Sequence, residues 1–126
     1  MRVAEKYNVD QMYYYHLRDF YNRPVVTVCV VRCGDNYSRG VSICSLSEMP
    51  VKRIGRRIAR DRALNAIFNK ISVMEIKSDR ALDILENIFT KDVKDLYDVM
   101  NYKSQYNPDL TWFEKILFGL IERNRN

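Results

Sequence analysis

Six basic side chains fall within eleven consecutive residues, 52–62, and this cluster is the feature of the sequence best suited to a chemical role. Asp61 is the single acidic residue among them, so this basic segment carries a net charge of +5. The whole chain has 21 Lys and Arg against 16 Asp and Glu, which leaves fifteen of each sign outside the basic segment. Positive charge concentrated in one place favours an anionic partner.

The basic segment is predicted to begin a helix that runs from 52 to 69, because its apolar residues recur at helical spacing. At about 100° per residue, the apolar and basic side chains separate onto opposite sides of such a helix. The predicted apolar side consists of Ile54, Ile58, Ala59, Ala63 and Ala66. The predicted outer side consists of Arg53, Arg56, Arg57 and Arg60.

Two residues of the basic segment do not fit this simple division. Arg62 falls on the apolar side, where an unpaired charge is costly, so it needs a carboxylate, a carbonyl group or a ligand phosphate. Gly55 lies on the same side and lowers helix stability by about 1 kcal/mol, which indicates that something approaches the backbone closely there. Packing against a strand, with a structural salt bridge for Arg62, is the usual explanation for such residues.

Signatures of catalysis are scarce in this sequence, which lacks a nucleophile elbow, a P-loop, a dinucleotide-binding fingerprint and a zinc-protease motif. His16 is the only histidine, and its strand-like surroundings are more typical of a surface or interfacial residue than of a general base. Cys29, Cys33 and Cys44 are odd in number and lie in apolar segments, which predicts reduced, buried thiols and argues against a zinc site. We therefore expect a protein without enzymatic activity, metal or cofactor.

The segment before the basic helix must position it. Residues 12–45 of this segment are predicted to form an antiparallel sheet. Residues 25–32 are almost all β-branched or small and apolar, so they are predicted to form the central strand. Turn-forming residues at 21–24 and at 34–36 separate this strand from its neighbours. The result is a three-stranded meander that precedes the basic helix.

The carboxy-terminal part, 78–122, is predicted to form two or three helices, because its apolar residues recur at helical spacing. Residues 71–76 suit a fourth strand as well as they suit a helix. Thr111 and Glu114 have the spacing of a capping box, which predicts a last amphipathic helix that begins there. This helix is strongly apolar for its length, so we expect it to dock on the domain or to form a contact in a homo-oligomer.

Length and composition fit one folded domain of the α+β class over 1–126, with a sheet of three or four antiparallel strands packed against the basic helix. The chain has 126 residues and is 47% hydrophobic, which supports a modest single core. The amino terminus lacks the apolar stretch of a signal peptide, and no apolar run approaches the roughly 20 residues of a membrane span. We therefore expect a cytoplasmic protein without a membrane partner.

A motif spans the third strand and the basic helix. The run from Tyr37 to Ala66 contains an S-R-G strand motif, a short loop with serine and proline, and the helical pattern K-x-x-G-R-x-x-A-x-x-R-A. It resembles the first family of Thoeris anti-defence proteins, which are phage nucleotide sponges, over about a quarter of the chain. The resemblance implies a non-catalytic oligomer in the host cell that sequesters a cyclic ADP-ribose-type nucleotide and spares the phage from a bacterial immune effector. The matching positions are Arg39, Gly40, Lys52, Gly55, Arg56, Arg57 and Arg62.

A nucleotide with two phosphates needs arginine forks for the phosphates and an aromatic or apolar slot for the base. The candidate phosphate-binding residues are Arg39, Lys52, Arg56, Arg57, Arg60 and Arg62. The candidates for close backbone approach are Gly40 and Gly55, and those for base stacking are Tyr37, Phe89 and Tyr97. We expect the site to lie where the basic helix meets the third strand near Arg39.

Two other functions are consistent with the same residues. A meander followed by a basic helix is also how double-stranded RNA-binding domains present lysines to phosphates, so a nucleic-acid partner is an alternative. The confinement of the charge to about three helical turns argues for a compact ligand instead. A protein that uses its basic face to inhibit a component of a bacterial defence system is the third hypothesis.

Overall fold

A computed structural model of the protein describes residues 9–44, 51–73 and 104–122, and these form an antiparallel sheet, a long helix and a short helix. This is the α+β architecture that the sequence predicts. The strands in chain order are β1 (Gln11–Arg18), β2 (Pro24–Cys33), β3 (Asn36–Ile43) and β4 (Ser104–Tyr106), and they lie in this order across the sheet. The helices are α1 (Lys52–Asn69) and α2 (Trp112–Leu117).

The predicted meander of β1, β2 and β3 is confirmed. Val28, in the buried middle of β2, pairs with Tyr15 of β1 and with Val41 of β3. The turns use residues that tolerate a left-handed backbone, since Asn22 has a φ of 63° and Gly34 has a φ of 61°. The β-branched residues of β2 are buried on both sides, as expected for a strand with a layer on each face of its sheet.

The fourth strand lies elsewhere than the sequence suggests. β4 pairs with β3 and consists of residues 104–106, which the sequence analysis assigned to the helical part of the chain. From the alternative strand at 71–76, Val73 forms a single bridge to Ser104, and residues 74–76 lie outside the described residues. A three-residue strand carries too short a pattern to be distinguished from a helix by periodicity. Most of the predicted helical region, 78–103, also lies outside the described residues.

Successive side chains of each strand point to opposite faces of the sheet, so the sheet has two separate cores. One core lies between the sheet and α1 and includes Cys29, Val31 and Ala63; we call this side the α1 face. The other core includes Val28, Val41 and Phe118, which follows α2 directly, and we call this side the α2 face. The sheet is thus the middle layer of three.

The bounds of α1 match the predicted 52–69, and Ala59, Ala63 and Ala66 of its predicted apolar side are buried. Ile54 is 44% exposed, whereas Leu64 and Ile67 are buried. All buried residues of α1 lie from Ala59 onward, so most of the apolar burial is in the second half of the helix. Ile54 therefore lies before the region of full packing, which a helical wheel cannot show because it has no information on position along the axis.

The capping box that opens α2 is confirmed. The Thr111 hydroxyl accepts a hydrogen bond from the Glu114 amide at 3.1 Å, and the Glu114 carboxylate accepts one from the Thr111 amide at 2.9 Å. The helix ends at Leu117, so its predicted extension to 122 is wrong. Gly119 adopts a φ of 74°, and the Leu120 amide donates to the Lys115 carbonyl, which is the Schellman ending that stops a helix.

Candidate anion-binding site

Arg39, a candidate phosphate ligand, lies on the α2 face of the sheet, away from the basic helix. Its neighbour Gly40 lies on the α1 face, because consecutive residues of a strand alternate. The Arg39 side chain is 0% exposed. The expected convergence of Arg39 with the arginines of α1 is therefore not observed, since the sheet itself separates them.

Arg39 is the centre of a buried polar network. Its Nε donates to Glu114 Oε2 at 2.8 Å, and its Nη2 donates to Glu114 Oε1, which makes a bidentate ion pair. Nη1 donates to Gln105 Oε1 at 3.0 Å, and Nη2 also donates to the Asp109 carbonyl at 2.9 Å. The Tyr15 hydroxyl donates to Glu114 Oε2 at 2.6 Å. The network thus links α2 and β4 to Arg39 of β3.

The protonation states in this network follow from its geometry. Burial acts to raise the pKa of the Glu114 carboxyl, but hydrogen bonds and the charge of Arg39 outweigh burial and hold that pKa below its usual range. Burial and the neighbouring Glu114 charge raise the pKa of the Tyr15 hydroxyl well above its ordinary value. The network therefore contains a carboxylate and a neutral tyrosine, and it occupies Arg39 fully on the inside of the protein.

The other basic candidates form a continuous region on the outside of α1. Lys52, Arg53, Arg56 and Arg57 are exposed, and within the described residues none of them forms an ion pair. We call these four residues the basic surface. Because they occupy the first two turns of one helix, their charges add within a short distance.

Arg60 and Arg62 differ from the basic surface in having partners in the protein. Arg60 lies 3.3 Å from the carboxylate of Asp61, its neighbour in the chain. Arg62 points inward, as predicted, and its Nη1 donates to the Val41 carbonyl at 2.9 Å. A backbone carbonyl is therefore one of the groups that compensate the Arg62 charge.

Strand β1 contributes two side chains next to the basic surface that the sequence analysis did not assign to the site. The Arg56 guanidinium lies over the Tyr14 ring, 5.9 Å from its centroid. His16 lies on the same face, and its Nε2 is buried without a hydrogen-bond partner among the described residues. Burial and the charges of Arg56, Lys52 and Arg18 lower the pKa of His16 to about 4. Alternation along β1 could have placed both residues on one face, but only the tertiary structure shows which face carries α1.

Of the three predicted stacking residues, Tyr37 is described by the structure, and it does not lie at the basic surface. Tyr37 lies on the α2 face, where its ring meets the edge of Phe118 with centroids 4.9 Å apart. Phe89 and Tyr97 lie outside the described residues. Among the described residues, Tyr14 is the aromatic side chain in contact with a cation of the basic surface.

Other parts of the same chain lie close to both predicted glycines. A β-carbon on Gly40 would clash with the backbone of α1 at Ala59 and Ala63. A β-carbon on Gly55 would lie 2.6 Å from the Thr27 Oγ1 atom of β2. The two glycines let α1 lie directly on the sheet, which fixes the direction of the basic surface.

The described residues include no cluster of three or more histidine, cysteine, aspartate or glutamate side chains that could bind a metal ion. All three cysteines are free, and burial raises the pKa of the Cys29 thiol to about 12. Within the described part of the chain, no helix is both long enough and apolar enough to span a membrane. Comparison with protein-family models, curated proteins and solved structures gives no match to this chain.

Proposed function

We propose that this protein binds and sequesters a small anionic nucleotide of the cyclic ADP-ribose type, without catalysis, and so acts as a phage anti-defence protein. The observation that carries the proposal is the basic surface. Elsewhere in the described chain, Arg23, Arg32 and Arg39 each pair with an acidic side chain, whereas Lys52, Arg53, Arg56 and Arg57 do not. Four neighbouring cations without an acidic partner among the described residues are suited to an external anion.

The chemistry of the neighbouring side chains supports a nucleotide over a simple ion. Arg53 and Arg57 can each offer a planar fork with several donors to one phosphate. Tyr14 offers an aromatic surface next to Arg56, and a nucleobase needs such a surface for stacking. His16 lies beside Lys52 and Arg56, and its Nε2 atom is buried without a hydrogen-bond partner among the described residues. These groups lie on one side of the molecule, as a compact ligand requires.

The proposal includes a homo-oligomer, because a sponge must enclose its ligand more completely than an open helix can. Support comes from α2 and the residues after it, where Trp112 is 55% exposed, Phe113 is 42% exposed and Leu120 is 50% exposed. Large apolar side chains exposed together are typical of contact surfaces. This apolar surface lies on the α2 face, away from the basic surface, so it supports an oligomer but does not itself enclose a ligand at the basic surface.

The direct test is a binding screen on freshly purified protein. Native mass spectrometry would report the oligomeric state and any retained ligand. Thermal-shift and calorimetric titrations with cyclic ADP-ribose isomers, cyclic dinucleotides and short RNA and DNA duplexes would then identify the class of ligand. We expect stabilisation by a cyclic ADP-ribose isomer. A duplex that binds instead, with an affinity that falls steeply with salt, would favour a nucleic-acid partner, and no stabilisation by any nucleotide would contradict the proposal.

A matched pair of variants would place the bound ligand. Arg57→Gln removes one charge from the basic surface, whereas Lys115→Gln removes one exposed charge from α2 on the other side of the sheet. We expect Arg57→Gln to weaken nucleotide binding about tenfold, since a hydrogen bond to a charged group contributes about 1.5–3 kcal/mol. Lys115→Gln should change the affinity less than about twofold. Equal effects of the two substitutions would indicate long-range charge alone.

A further inference from the structure

A cavity of about 130 Å³ lies between the first turns of α1 and the sheet. This volume corresponds to about four water molecules, which suits one tetrahedral group but not a whole nucleotide. Val51, Ile54, Gly55 and Ile58 line it from the helix side. Pro24, Val25, Thr27, Ser42, Ile43 and Cys44 line it from the strands. The cavity is thus mostly apolar, with two hydroxyl groups and the beginning of a helix as its polar parts.

The beginning of α1 lacks the features that normally stabilise a helix end. Its N-cap residue, Val51, has no side chain that accepts a hydrogen bond, and the first turn contains no acidic residue. Gly55 donates the first intrahelical hydrogen bond, to the Val51 carbonyl, so the preceding amides lack an intrahelical acceptor. Lys52 and Arg53 add positive charge where the helix dipole is already positive. Among the described residues, the start of the helix thus has no negative charge beside it, and a bound anion would supply one.

The two hydroxyl groups of the cavity are an independent indication of a ligand. Thr27 is 3% exposed and Ser42 is 8% exposed, and the two residues are direct partners on β2 and β3. Within the described residues, neither hydroxyl group makes a hydrogen bond, although Ser38, on the same face of β3, donates to the Ala63 carbonyl at 2.7 Å. Both residues line the cavity, so their hydroxyl groups can donate to or accept from a polar group bound there.

We propose that this cavity is a phosphoryl subsite, in which the free amides at the start of α1 and the hydroxyl groups of Thr27 and Ser42 bind one phosphate of the ligand. The inference rests on the proposed function and adds to it where one phosphate binds. Amides at a helix N-terminus bind phosphate in many proteins, and α1 has 18 residues, so its dipole is fully developed. The apolar walls favour a phosphate ester over free phosphate, because they can contact the carbon atoms of the attached sugar.

The subsite and the basic surface can act on the same ligand. Lys52 and Arg53 belong to the basic surface and also to the first turn of α1, whose amides form part of the proposed subsite, although their side chains do not line the cavity. A ligand with two phosphates could place one in the cavity and the other against the arginines outside. This arrangement predicts that nucleotides with a diphosphate bind more tightly than the corresponding monophosphates.

The test removes the two hydroxyl groups without a change in side-chain shape. In the double variant with Thr27→Val and Ser42→Ala, the affinity for the cyclic ADP-ribose isomer found in the screen should fall at least about tenfold. Ser38→Ala is the matched control, because Ser38 is a hydroxyl residue on the same face of β3 but does not line the cavity. The affinity of the Ser38→Ala variant for the same isomer should stay within about twofold of that of the unmodified protein. A double variant that binds as tightly as this control would overturn the subsite and leave the proposed function intact.

A second experiment tests the subsite without a nucleotide. It is needed because a failure of every nucleotide to bind would refute the proposed function but not the subsite. Titration with inorganic phosphate, followed by amide NMR, should shift the resonances of Lys52, Arg53 and Ile54 in the unmodified protein and leave them unshifted in the double variant. If the double variant does not fold, Val51→Asp serves instead, since a carboxylate at the N-cap would compete for the same amides. Amide resonances that do not move with phosphate, when nucleotides also fail to bind, would overturn the subsite.

Discussion

The two faces of the sheet use arginine in opposite ways. On the α2 face, Arg39 is completely buried and pairs with Glu114 in two hydrogen bonds. On the α1 face, Arg53, Arg56 and Arg57 are exposed and have no acidic partner among the described residues. A buried charge must be compensated inside the protein, whereas an exposed charge is solvated and can exchange water for a ligand. Burial and pairing, and not residue type, therefore separate structural arginines from candidate binding residues.

The largest expected effect tests the structural side of this comparison. Glu114→Gln keeps the shape of the side chain but leaves the Arg39 charge buried without its counter-charge. We expect the free energy of unfolding to fall by about 3–5 kcal/mol, because removal of one partner of a buried ion pair has this cost. Urea denaturation followed by circular dichroism would measure it. Arg57→Gln is the control and should change stability by less than about 0.5 kcal/mol, so similar losses in both variants would contradict the comparison.

The next largest expected effect tests the role of the exposed arginines of α1 in binding. Arg57→Glu reverses a charge on the basic surface and should weaken nucleotide binding about a hundredfold. The substitution removes a hydrogen bond to the ligand and also replaces electrostatic attraction by repulsion. Calorimetry at low salt would measure the affinity. Stability should not fall, since the residue is exposed and without an ion pair among the described residues. A variant that loses stability along with affinity would assign Arg57 a structural role like that of Arg39.

A third prediction concerns the start of α1. Val51→Asp supplies the missing cap and a negative charge next to the helix N-terminus. We expect the unliganded protein to gain about 1 kcal/mol of stability, because an acceptor at the N-cap satisfies free amides. The same variant should bind nucleotide more weakly, since its carboxylate occupies the proposed phosphoryl subsite. Thermal denaturation with and without ligand would show both effects, and a gain in stability without loss of affinity would argue against the subsite.

The smallest expected effect is a dependence of stability on pH through His16. Its pKa is lowered from an ordinary value of 6.5 to about 4 in the folded protein. Because the unfolded chain then binds a proton more readily, stability contributed by neutral His16 is present above about pH 6.5 and is lost as the pH falls toward 4. His16→Gln should lose less stability over this interval than the unmodified protein. Denaturation curves from pH 7 to 5 would measure the difference, and parallel pH profiles would contradict it.

Local patterns were sufficient for much of the fold. The helix over 52–69, the central strand and the capping box at Thr111 were all predicted correctly, because each depends on residues within a few positions of one another. The buried side of α1 was predicted less well. Ile54 and Ile67 are equivalent in a hydropathy pattern, but Ile67 is buried whereas Ile54 is 44% exposed. The predicted position of the site differs from the structure for a similar reason. The S-R-G motif places Arg39 close to the basic helix in sequence. Side chains alternate along β3, however, so Arg39 lies on the α2 face and the basic helix lies on the α1 face.

The sequence by itself determined that positive charge is concentrated on one helix and that this helix follows an antiparallel meander, because spacing, turn residues and composition act locally. Only the tertiary structure decided what each charge does. Arg39 and Glu114 are 75 residues apart in the chain, and no local rule relates them. Tyr14, His16, Thr27 and Ser42 become neighbours of α1 because the helix packs on their face of the sheet. Which face a helix covers depends on the packing of the whole domain, and that choice made one arginine structural and left the basic surface open to a ligand.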